Sequence, residues 1–85
     1  MYNYETLPKG LQGGMQRYLE QGLAPGSFLT AVLENNLFDA VMRADSTNLS
    51  FLPDIVKWLH WEVPMECNGS RVLVDAWKAK VREER

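Results

Sequence analysis

The sequence predicts an all-α fold, a compact bundle of about five short helices with the fourth helix central. Two observations carry that expectation. Apolar residues recur at helical spacing in five separate segments, each punctuated by Gly, Pro or Asn. The sole β-branched run, Val72 to Val74, falls inside one of these helical patterns, so no segment reads as a strand. The 85 residues fit one domain, spanning 1–85, with residues 1–7 as an N-terminal extension and 83–85 as a frayed C-terminus. A chain this short buries only roughly 60% of the surface that it exposes when unfolded. It offsets this with aromatic bulk: Trp58, Trp61 and Trp77 can each remove about 150–250 Å² from water.

The first helix is expected to open near Pro8, a residue suited to a first helical position, and to close at Gly22. Leu11, Met15, Tyr18 and Leu19 share one face at i, i+4, i+7 and i+8. Gly13-Gly14 within it requires an explanation, because each glycine costs about 1 kcal/mol relative to alanine. Either the helix begins after the pair, or a neighbour packs against bare backbone there. The second helix follows Pro25-Gly26, with Ser27 as a candidate cap, and presents Phe28, Leu29, Val32 and Leu33. Asn35-Asn36 ends it, one asparagine taking the left-handed conformation that terminates helices.

Asn36 also caps a third short helix, with Asp39 three positions on in a rough capping-box arrangement. Leu37, Phe38, Val41 and Met42 are expected on its inner side, with Asp39 and Arg43 outside. Pro53 lacks a backbone donor and is harmless only in a first turn, which favours Ser50 as cap of the fourth helix. That helix runs to about Glu62, where Pro64 stops it. After the Asn68-Gly69 turn, Ser70 caps the last helix, whose expected inner stripe is Leu73, Ala76, Trp77 and Val81.

The fourth helix is the informative element. Leu52, Ile55, Val56, Leu59 and Val63 form one stripe, and Phe51, Trp58 and Trp61 widen the apolar arc past half the circumference. Two arrangements account for this. The helix is central and wrapped by the other four, or Phe51, Trp58 and Trp61 form a docking patch or homodimer seam. In the second case Trp61 is the most exposed of the three and Arg17 is a neighbouring anchor, Trp and Arg being typical of interface hot spots.

Composition excludes several function classes. Cys67 is the single cysteine, so neither an intrachain disulfide nor a cysteine-based zinc site can form, and a free thiol fits a reducing compartment. The N-terminus lacks a basic region followed by an apolar stretch, and no window approaches eighteen apolar residues, which points to the cytoplasm and away from membranes. His60, Cys67 and Glu66 sit at no recognised metal-ligand spacing, and a Cys67-His60 nucleophile pair lacks an orienting group. No cofactor is expected and no enzyme is read. A helix-turn-helix is poorly supported, since its recognition helix would offer Asp39, Arg43 and Asp45, two of which repel phosphate. With a formal charge of −2, the alternative of nucleic-acid binding rests on Lys78, Lys80, Arg82 and Arg85 alone, diluted by Glu83 and Glu84.

The stretch from Leu11 to Leu37 containing Pro25-Gly26-Ser27-Phe28, the tripeptide Arg43-Ala44-Asp45, and Cys67-Asn68-Gly69-Ser70 together resemble a group of small helical proteins encoded by phages and prophages of Gram-negative bacteria. The likeness spans about residues 7 to 77. Where relatives place an aromatic before the Gly-Ser pair, this chain has Asn68. The resemblance carries no catalytic residue across. It implies a phage accessory protein in the bacterial host cytoplasm that binds and occludes a host protein or complex, in the manner of anti-CRISPR inhibitors of host defence.

Overall fold

In the computed structural model, which describes residues 2–84, five α-helices follow one another: α1 (Lys9–Gln21), α2 (Ser27–Leu33), α3 (Leu37–Arg43), α4 (Ser46–Glu62) and α5 (Arg71–Glu83). Single 3-10 turns lie at Tyr4–Thr6 and Met65–Cys67, and no strand occurs among the described residues. None of these helices is long and apolar enough to cross a membrane. The radius of gyration is 11.8 Å, against about 11.9 Å for a compact chain of this length.

Local sequence explains most helix ends. Gly22 closes α1 at φ 71°, and its amide donates to Tyr18 O. Asn35, at φ 61°, provides the left-handed residue after α2. Asn36 Oδ1 accepts the Asp39 amide at 3.2 Å while its Nδ2 donates to Asp39 Oδ2 at 3.0 Å, so the capping box of α3 is closed by a carboxylate. Ser70 Oγ accepts the Leu73 amide at the start of α5. Two ends differ from expectation. Gly26, not Ser27, is the cap residue of α2. Asp45, not Ser50, caps α4 by accepting the Asn48 amide at 2.7 Å, so Pro53 lies inside the helix. The proline deprives Leu49 O of its helical donor, but it does so at an exposed position, where the break is cheapest.

The Gly13-Gly14 puzzle resolves in favour of close packing. The helix is continuous through both residues, and a Cβ on Gly14 would stand 2.9 Å from Pro25 O. Gly22 plays a similar part at the other end: a Cβ there would meet Lys78 O at 2.6 Å, so α5 rests on bare backbone, and Arg82 Nε donates to Gly22 O at 3.0 Å.

The core gathers Met15, Tyr18 and Leu19 of α1, Phe28, Leu29, Ala31 and Leu33 of α2, Ile55, Trp58 and Leu59 of α4, and Val74 and Trp77 of α5. α1 packs closely on α2, α5 and the N-terminal turn. The wrapping expected around α4 is met on one face only: Ile55, Trp58 and Leu59 are buried, whereas Val56 of the expected inner stripe is exposed and Leu52 half-buried. On α5 the inner stripe is Val74, Trp77 and Val81, so Leu73 and Ala76 face outward. The segment expected as an N-terminal extension belongs to the body. Leu7 is buried, Tyr4 stacks on Trp58 at 5.8 Å, and the Tyr4 hydroxyl donates to Glu20 Oε2 at 2.7 Å.

The largest departure concerns α3. Of its seven residues only Ala40 is buried. Leu37, Phe38 and Met42, expected inside, are 67%, 84% and 79% exposed, and Val41 is exposed as well. The capping geometry at Asn36 and the tight Asn35 turn aim α3 so that its smallest apolar side chain meets the core.

Two alanine substitutions in α1 test the packing at Gly14. Gly10→Ala, where the added methyl meets open space, is expected to raise stability by about 0.5–1 kcal/mol through helix propensity. Gly14→Ala is expected to lower it despite the same propensity gain, because the Pro25 carbonyl must move. Equal stabilisation by both in urea unfolding would contradict this packing.

Candidate functional site

Two surfaces emerge from the way α3 and α4 are set. The first surrounds Trp61. Ile55 and Leu59 fix the inward face of α4, and Trp61 lies well round from them at 100° per residue. It is 77% exposed and lies edge-on to the ring of His60, with centroids 4.6 Å apart. Beside it an open groove of about 440 Å³ is lined by Thr6, Asp54, Lys57, Trp58 and Glu62. An aromatic platform within a charged rim matches the anatomy of protein-protein contacts, where Trp anchors and polar groups surround it.

The residues expected to form this patch are not all available. Trp58 is buried, and its indole Nε1–H donates to Asn3 O at 2.7 Å, so it supports the core and only floors the groove. Phe51 is 38% exposed, on the same flank of α4 but more than two turns before Trp61. Arg17 stands on α1 with its guanidinium folded over Gly13, 3.1 Å from where a Cβ would be. Trp61 therefore remains as the exposed aromatic of the set, with Phe51 half-available.

The second surface was not expected from the sequence. A groove of about 70 Å³ runs between α3 and α4 over Ala31 and Val32 of α2 and the Asn35-Asn36 turn, with Leu37, Ala40, Leu52 and Val56 as its walls. Leu49, one turn before Leu52, extends its α4 wall and is exposed. Phe38, Val41 and Met42 project on the outer side of α3, so apolar surface continues from one helix to the other. The polar residues of α3 face the opposite way, where Asp39 and Arg43 line a separate groove with Thr30 and Glu34. The signal was present in the spacing: four large residues cover about 140° of a seven-residue helix, and Ala40 lies at one edge of that arc.

The groups with chemical potential differ in burial or are engaged elsewhere. His60 is exposed on α4, whereas Cys67 is fully buried in the following turn, with Asn68 Nδ2 donating to its Sγ at 3.5 Å. Burial pushes the Cys67 thiol above its usual range, the opposite of what an attacking thiolate needs. Among the described residues no three His, Cys, Asp or Glu side chains converge as a metal site would require. The C-terminal cations are partly committed within the molecule. Lys78 pairs with Asp75 at 3.5 Å, and Lys80 pairs with Glu66 at 3.1 Å while standing 5.7 Å over the Trp77 ring. Arg82 is bound to Gly22 O, and Arg85 lies outside the described residues.

No protein-family model, curated protein or solved structure matches the chain. Its own surface chemistry is therefore the guide to function.

Because Cys67 is enclosed and its thiol pushed up, a thiol-specific reagent at about pH 8 should modify it only as fast as the chain opens. Adding denaturant should accelerate labelling in step with unfolding. Immediate full labelling of the folded protein would contradict the enclosed thiol.

Proposed function

We propose that this chain is a non-catalytic binding protein that acts by covering a surface of a host bacterial protein or complex, with Trp61 as its principal anchor. The observation that carries this reading is a large aromatic side chain held almost fully in solvent on the longest helix, next to an open groove with charged walls. Exposing an indole costs solubility and contributes nothing to the core, whereas in an interface it can supply 2 kcal/mol or more (roughly 30-fold in affinity). Asp54, Lys57 and Glu62 around it suit a polar rim that selects the partner by charge.

The resemblance to phage-encoded proteins supplies the setting, a phage accessory protein working in the bacterial cytoplasm, and inhibition of a host defence system is the form of occlusion that setting favours. The raised and buried Cys67 thiol, beside an exposed His60, supports a role in binding over one in bond-making. The commitments of Lys78, Lys80 and Arg82 within the molecule argue in the same direction, away from a phosphate-binding tail.

Affinity capture from host lysate with the wild-type chain and with Trp61→Ala tests the reading. The wild type is expected to retain a defined host protein, and purified Trp61→Ala is expected to bind that protein roughly 30-fold or more weakly with unchanged helical content. Undiminished binding by Trp61→Ala would remove Trp61 from its role.

A further inference from the structure

The Trp61 groove leaves the apolar face of α3 and α4 without a role, and the chemistry of that face differs from that of the groove. We infer that this face seats a second copy of the same chain, forming a two-fold dimer in which α3 packs against α3.

Size is the first argument. From their exposed fractions, Leu37, Phe38, Val41, Met42, Leu49 and Val56 present on the order of 700 Å², close to the roughly 800 Å² per partner of a standard interface. It also exceeds the roughly 300–600 Å² of the largest apolar patch on a typical monomer. Pairing two such faces removes about 1,400 Å², inside the roughly 1,200–2,000 Å² range of specific interfaces.

Composition is the second argument. No charged side chain lines the α3–α4 groove. Loss of charge at the centre is common to protein contacts, and homodimer interfaces are the more apolar class, about 65% against about 56–58% for non-obligate ones. The net charge of −2 sets little repulsion between two copies.

Shape and order along the helix are the third argument. The face carries both a recess, at Leu37, Ala40, Leu52 and Val56, and projections, Phe38 and Met42. An isologous interface pairs the same patch on both copies, so projections near the two-fold axis can meet one another. In an antiparallel pairing about the middle of α3, Phe38 of one copy meets Met42 of the other, an aromatic-sulfur contact. The dimer then carries two Trp61 grooves outside its seam.

Sedimentation equilibrium on the full chain, from about 1 to 500 µM, tests this. The wild type is expected to reach twice the 9.7 kDa monomer mass. Phe38→Gln combined with Met42→Gln, both at exposed positions, is expected to raise the dimer dissociation constant at least about tenfold with helical content retained. Trp61→Ala is expected to dimerise as the wild type does, which separates this result from the fate of the Trp61 reading. A wild type that stays monomeric across the range would overturn the inference, as would dimerisation undisturbed by the Phe38/Met42 double variant. Capture of a host protein by the α3 face of a monomer would also overturn it.

Discussion

The fold depends on one buried hydrogen bond. The Tyr18 side chain is fully enclosed at the centre of α1, and its hydroxyl donates to the Cys67 carbonyl in the turn between α4 and α5. A phenol taken out of water without an acceptor costs about 1–3 kcal/mol, so the turn must come to Tyr18. Burial also pushes the pKa of this phenol up, keeping it protonated and a donor across the ordinary pH range. The Gly69 amide adds a 2.7 Å bond to Leu33 O at the end of α2, which fixes the same turn from a second side. With the turn held there, α4 arrives and α5 leaves in directions that close the core over α1 and α2.

That closure determines what is left outside. Tyr18, Met15, Trp58 and Trp77 supply bulk enough to fill the space between the helices, and α3 contributes only the methyl of Ala40. α4 is occupied along Ile55 and Leu59, while Val56 on one flank and Trp61 on the other remain in solvent. Much of the exposed apolar surface of α3 and α4 thus falls on two surfaces of different character, one an indole within a charged rim and one a broad uncharged face. Neither contributes to the core, and both suit association.

Legibility in the sequence followed the range of the interaction. Helix ends fixed within a few residues could be read: Gly22, Asn36 and Ser70 act through their own backbone and nearest amides. The start of α4 misled because Asp45 and Ser50 are both competent caps, and the proline rule weighed a single lost bond above five further residues of helix. Trp58 and Trp61 could not be told apart by periodicity. What buries Trp58 is the Asn3 carbonyl and the Tyr4 ring, more than fifty residues away, whereas Trp61 keeps 77% of its surface exposed. The inward face of α3 was misplaced, and that of α5 was right at Trp77 and Val81 but missed Val74, for a related reason. On α3 the large residues and Ala40 share one arc, and on α5 apolar residues stand on two sides; which part turns inward is settled by neighbours such as the Gly22 backbone under α5. Hence the all-helical architecture and the exposure of Trp61 were accessible from sequence, and the α3–α4 face was not.

The central claim is that the core closes through Tyr18 and owes nothing to the large side chains of α3, which are therefore free to bind. Urea unfolding at low protein concentration, comparing Tyr18→Phe with the Phe38→Gln/Met42→Gln double variant, tests it most directly. The account predicts a loss of about 1–3 kcal/mol for Tyr18→Phe and a change within about 0.5 kcal/mol for the double variant. A double variant weakened by about 2–5 kcal/mol, as in a core truncation, beside an unaffected Tyr18→Phe would contradict it.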